Sequence, residues 1–200
     1  MAEIIMPAGD LEDVEIELDQ NFQVNRSAWT GRRRVSGMPG AQKWFASATV
    51  PGIATENEER PWRLFLLSLR GPIHWFRFPV ACSQREGTNP TVRTGPGPLT
   101  TLPLEGLPVS ASAILKGGQF MTIPLPSGRH RLVMLTADLN SNGSGHGTAT
   151  FVPELTETPT VGATVETIDP WLPAALMDGR QGWKLSNGVS VFQINAEEAR

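Results

Sequence analysis

One segment constrains the architecture more than any other: Glu56 to Pro72, ENEERPWRLFLLSLRGP, which alone carries a convincing helix pattern. Trp62, Phe65, Leu66 and Leu69 recur at i, i+3, i+4 and i+7, and Leu64 and Leu67 broaden that stripe. Thr55 and Glu58 have the spacing of a capping box, with Asn57 as a rival N-cap. Pro61 is best tolerated in a first turn, so the regular helix is expected to begin near 58–61 and to run over about 58–70. Arg70 suits the C-terminal dipole, Gly71 the C′ position, and Pro72 stops continuation. A helix this apolar, alone among short strands, must be covered by a sheet.

The surroundings read as β. Val14, Ile16 and Leu18 alternate with Glu15, Glu17 and Asp19, the period of a half-buried strand. WFASATV (44–50) carries strand-type residues, and the turn SGMPGAQ (36–42) suggests a hairpin between it and Arg32–Val35. IHWFRFPV (73–80) reads as a strand after the helix. Strand patterns resume at 109–115, 119–125, 130–137 and 147–152, and close at 161–167, 182–186 and 188–194. Between them, 83–107 is poor in large apolar residues and rich in Gly, Pro and Thr, as at a domain boundary or a long surface excursion.

These signals predict a mainly β protein: a β-sandwich with one amphipathic α-helix and an inserted small β-barrel-like, OB-like unit. The sandwich domain is expected over 1–82 plus 158–200 and the insert over 83–157. With 200 residues, 40% of them hydrophobic, the chain can bury a real core. The 20 glycines and 17 prolines favour many tight turns rather than disorder. A net charge of −3 gives no general attraction to nucleic acid or anionic membrane. Residues 1–20 lack a basic n-region and an apolar h-region, so no signal peptide is expected and synthesis and folding are placed in the cytoplasm. The sequons at Asn25 and Asn142 are then without consequence, and no run approaches the roughly 18 apolar residues of a membrane span.

Catalytic constellations are thin. His74 lies in an apolar strand, His130 at a strand start and His146 in a glycine loop, and no serine sits in a G-x-S-x-G elbow. The lone Cys82 excludes an intrachain disulfide and reads as an inert core thiol. The loop from Asp138 to Gly143 matches the first half of a calcium loop, but Ala149 stands where the bidentate Glu is required. Gly95-Pro96-Gly97 and Lys116-Gly117-Gly118 precede no helix and read as turns. No catalytic residue, metal site or cofactor is expected.

Arg32, Arg33 and Arg34 form the only dense basic run. In a strand their side chains alternate, leaving two readings: a solvated edge strand protected against aggregation, or a docking surface for an acidic partner. Six tryptophans stand beside no tyrosine. Trp62 and Trp75 read as core, whereas Trp29, Trp171 and Trp183 fall in turn-rich stretches and are candidates for a protein contact.

The order SAWTGRRRV, a P-G turn, KWFASATV, ERPWRLFLLSLRG and a strand resembles the distal tail (Dit-like) proteins of long-tailed bacteriophages. ILKGGQFMTI followed by RHRLVMLTADLNSNGSGHGTATFVPEL is similar to the family's "L-x-x-G-D" strand and "A-D … G-x-A-x-L … P" hairpin. VSVFQINAEEAR resembles its C-terminal strand and short acidic tail. Gln119 stands where the pattern has an acidic residue, and the triple arginine is atypical of it.

The resemblance implies a structural virion protein rather than an enzyme. It implies a homo-oligomeric ring of six copies at the distal end of the tail tube, contacting tube and tail-tip or hub proteins. DNA would pass through the lumen without specific binding, and the protein would be located in the virion after synthesis in the host cytoplasm, with no membrane insertion. An acidic chain suits such a conduit, since a basic lumen would hold DNA electrostatically. The alternative is a carbohydrate-binding β module of a tail or adhesion apparatus, motivated by the tryptophans and the Gly/Asn-rich loops. A β-rich hydrolase would need a polar triad that the sequence does not display.

Overall fold

The computed structural model describes residues 1–38, 40–80, 86–94, 97–186 and 188–199. Cys82 and the Gly95-Pro96 turn lie outside the described residues. In chain order the elements are β1 (Glu12–Asp19), β2 (Phe22–Arg26), β3 (Arg33–Gly37), β4 (Lys43–Ile53) and α1 (Glu56–Leu69). A 3-10 turn at Gly71–Ile73 leads to β5 (Phe76–Pro79), β6 (Thr91–Val92), β7 (Thr101–Glu105), β8 (Phe120–Pro124) and β9 (His130–Leu135). Then follow β10 (Gly147–Val152), β11 (Trp171–Leu176), β12 (Trp183–Ser186) and β13 (Val189–Glu198). The protein is mainly β with one helix.

The first sheet has the order β1-β4-β13-β11-β5 and is antiparallel throughout. β13 organises it: β4 runs along one side, while β11 takes its C-terminal end and β12 its N-terminal end on the other. Period-2 alternation decides which side is covered. Trp44, Ala46, Ala48 and Val50 of β4 are buried, in register with Phe192, Ile194 and Ala196 of β13. The helix lies on this inner side.

The helix buries Trp62, Phe65, Leu66 and Leu69. Phe65 meets Phe76 edge to face at 5.1 Å, and Trp62 approaches Phe192 at 6.4 Å. Each such side chain contributes about 1.5–3 kcal/mol relative to exposure.

Three details of the helix differ from the sequence expectation. It begins at Glu56, so Pro61 falls in its second turn; Asn57 and Pro61 are both exposed, and water can serve the carbonyl that proline leaves without a donor. The Thr55 hydroxyl bonds the Glu58 carboxylate at 2.7 Å instead of a helix amide. Leu64 and Leu67 face outward, 66% and 61% exposed, so the buried stripe is narrower than read. At the far end Arg70 (φ 50) and Gly71 (φ 66) make a left-handed turn, and a Cβ on Gly71 would stand 3.1 Å from Gly179 Cα.

The second sheet, β6-β7-β10-β9-β8, surrounds its own core of Val92, Leu104, Leu115, Met121, Ile123, Val133, Leu135 and Phe151. That core also takes Val165 and Ala163, beyond the 83–157 segment, because Thr164 bridges Thr91 and Glu166 bridges Thr122. The stretch 109–115, expected as a strand, contributes a single bridge from Leu115 to Leu139, and 161–167 likewise forms only bridges.

Hairpin β8–β9 serves both cores. Met121 and Val133 point into the second, while Phe120, Leu132 and Met134 pack on the first. Trp44 Nε1 donates to Leu132 O at 2.7 Å, and the Thr122 hydroxyl donates to Trp171 O (2.7 Å) and accepts from Trp171 N (2.8 Å). A buried ion pair, Arg131 with Glu198 at 3.5 Å, adds a further tie, and Arg131 Nη2 donates to Gln42 O at 2.9 Å.

Candidate assembly interface

The expected pairing of the Arg32–Val35 strand with β4 does not occur. β1 and β13 already hold the two edges of β4, leaving no vacancy. β3 instead folds back on β2 as a separate two-stranded sheet. Ser27 N donates to Arg32 O (3.0 Å) and Gly31, at φ +65, donates to Ser27 O (2.9 Å), which closes the turn at the tip. At the base, Met38 N donates to Asn21 O at 3.1 Å.

Every residue from 20 to 38 in this arm is exposed. Register places Phe22, Val24, Arg26, Arg33 and Val35 on one face, with Gln23, Asn25, Arg34 and Ser36 on the other. The first face is apolar toward the base and basic toward the tip, where Trp29 stands 96% exposed. A lone two-stranded ribbon is marginal in water, and the Phe22, Val24 and Val35 stripe of this one stays exposed among the described residues.

The arm unites Trp29, Arg32, Arg33 and Arg34; Trp171 and Trp183 lie elsewhere. Trp171 begins a fully buried strand rather than a turn. It is 8% exposed, with Trp75 stacked at 5.8 Å, His130 at 4.7 Å and the Arg77 guanidinium 4.5 Å from its ring. That removes it as a platform for a partner or a sugar. Trp183 is 41% exposed, with Arg63 held 4.7 Å from its ring and Phe192 at 6.0 Å. Sequence reasoning missed Phe22, Val24 and Arg26, although the apolar/polar alternation of FQVNR opposite RRVSG was the available signal.

A second surface bears on the arm. The outer side of the first sheet carries Glu15, Glu17 and Asp19 of β1, in register with Ser47, Phe45 and Lys43 of β4. Gln193, Asn195 and Glu197 of β13 continue it. Glu15, Glu17, Phe45, Met177 and Asn195 line a depression of about 210 Å³. Lys43 is already bound to Glu197 at 2.7 Å, so the field beside β1 stays negative.

The oxygens of the calcium-like loop are occupied within the protein. Asp138 Oδ1 accepts from Gly117 N, Asn140 Oδ1 from Ala113 N, and Asn142 Oδ1 from Ser144 N and His146 N. Gly145 is buried against Leu107, whose carbonyl would stand 2.5 Å from an added Cβ. Gln119 accepts from Lys116 N at 2.7 Å and closes its turn with an amide oxygen where a carboxylate would serve equally.

His74 Nδ1 accepts from Ala2 N, and burial holds the His130 pKa below the ordinary histidine value, helped by the Arg77 charge and opposed by Glu3. Among the described residues no group of three His, Cys, Asp or Glu could hold a metal ion, and no helix is long and apolar enough to cross a membrane. Neither a scan against protein-family models nor a search of curated proteins returns a match to this chain.

Proposed function

We propose that the protein is a structural component of a bacteriophage tail. In this reading it is a self-assembling subunit whose copies, six by analogy with the Dit-like family it resembles, form a ring at the distal end of the tail tube. The ring joins the tube protein to tail-tip or hub proteins and lets DNA pass without specific binding. The arm over residues 20–38 is the observation that carries the proposal: it brings an apolar face, four arginines and a tip tryptophan into solvent, all of them exposed among the described residues. A ring subunit repeats one head-to-tail contact around an axis, and a projecting arm is a natural donor for such a contact.

Immuno-electron microscopy of purified phage particles tests the assignment. Antibody raised against the arm-deleted protein should label the tail end farthest from the capsid. Label on the capsid, or none on the particle, would overturn it.

A further inference from the structure

Charge is divided sharply along the first part of the chain. Residues 10–19 contain Asp10, Glu12, Asp13, Glu15, Glu17 and Asp19 and no Lys or Arg, whereas 20–38 contain Arg26, Arg32, Arg33 and Arg34 and no Asp or Glu. Among the described residues the ion pairs are Lys43–Glu197, Arg60–Glu56, Arg63–Glu59, Arg77–Glu3 and Arg131–Glu198, none of which uses an arm arginine or a β1 carboxylate. Both halves of a complementary pair are thus displayed to solvent on each copy.

Resting on the assembly reading above, we propose that the acidic outer face of β1 and β4 is the receptor for the arm of a second copy of this chain. The arm face that carries Arg26 and Arg33 meets Glu15 and Glu17, where guanidinium groups match carboxylates in bidentate geometry. The Phe22, Val24 and Val35 stripe of the same face lies over the depression floored by Phe45 and Met177. Each copy gives one arm and receives one, so the contact is heterologous and propagates until it closes.

Another exposed apolar feature, the Leu64–Leu67 ridge of α1, lies beside Arg60 and Arg63, whose partners Glu56 and Glu59 are already engaged, so it offers an arginine-rich arm less free negative charge than β1 does. The sign of the charge selects β1.

Charge reversal in the full-length protein tests this. Arm variant R26E/R33E and receptor variant E15R/E17R should each lose assembly in light scattering while keeping the wild-type circular dichroism. Mixed one to one, they should assemble again, because each variant's arm then matches the other's receptor. A misfolded chain could not produce that rescue.

If E15R/E17R assembles like wild type while R26E/R33E does not, the receptor lies elsewhere and the inference fails with the assembly reading intact. If wild type stays monomeric throughout, both fail. If wild type retards a 30-base-pair duplex and R26E/R33E loses that binding without a change in mass, the arm contacts nucleic acid and the inference is overturned.

Discussion

Val24 and Val35 face each other across the arm as a directly opposed cross-strand pair, and both remain exposed, 40% and 52%. Opposed valines ordinarily secure a hairpin to a core, yet among the described residues this pair belongs to neither core cluster. The arm therefore contributes little to the stability of its own chain. Replacing residues 22–37 by a short Gly-Ser linker should shift the melting temperature by no more than about 2 °C at concentrations where both proteins are monomeric. The same deletion should abolish assembly. Differential scanning calorimetry and light scattering on one sample pair check both halves.

The two outcomes for the helix leucines separate its faces. Leu66 is 2% exposed and Leu64 is 66% exposed, two residues away on the same helix. Leu66→Ala should cost about 2–5 kcal/mol in urea unfolding by opening a cavity. Leu64→Ala should stay within about 0.5 kcal/mol, as surface changes do. Equal costs would mean that the inward face is misassigned.

Arg131 and Glu198 tie β9 to the end of β13, each with its side chain at 2% exposure or less. Glu198→Leu leaves the guanidinium buried without its counter-charge and should cost about 3–5 kcal/mol. The double variant R131M/E198L removes both charges and should recover most of that loss. A double-mutant cycle by chemical denaturation measures the difference, and additivity of the two single changes would argue against a coupled pair.

Acid should destabilise the fold in two stages. The Ser190 hydroxyl, 2.6 Å from Glu59 Oε1, holds the Glu59 pKa below its ordinary value, aided by Arg63 against the opposing effect of burial. For Glu166, burial pushes the pKa up but is outweighed by hydrogen bonds from Asp169, Asn89, Ile168 and Thr167, so the net shift is again downward. A carboxyl with a depressed folded pKa contributes stability above its unfolded value, near 4.3 for Glu, and loses it as pH falls through the folded value. The lowered His130 pKa has the same sign at higher pH: its contribution is present above about 6.5 and lost on acidification through the folded value. Urea midpoints should therefore decline first below about pH 6.5 and again below about pH 4.3. Ser190→Ala should lower stability at pH 7, and that difference should vanish once Glu59 is protonated in both proteins.

The helix, the alternation of β1 and the strand-type composition of β4 were legible because each is a local property of the sequence. Strand β11 was not. WLPAAL is buried at every position, so it has no alternation, and Pro173 argues against a strand in the middle of a sheet. TLPLE in β7 hid behind Pro103 for the same reason. The arm residues were legible by type, through the arginine run and Trp29. Their pairing was not, since it follows from both edges of β4 being filled by β1 and β13, strands from opposite ends of the chain. Trp171 shows the converse: its Pro-rich neighbourhood reads as a turn, while Trp75, His130 and Arg77, all distant in sequence, enclose its ring.

Light scattering of the purified full-length protein, over a concentration series at low and high salt, tests the central claim most directly. The account predicts a closed oligomer at low salt, about 130 kDa for six copies of the 21.7 kDa chain, that dissociates as salt screens the arm. A mass of 21.7 kDa at every concentration and salt would contradict it.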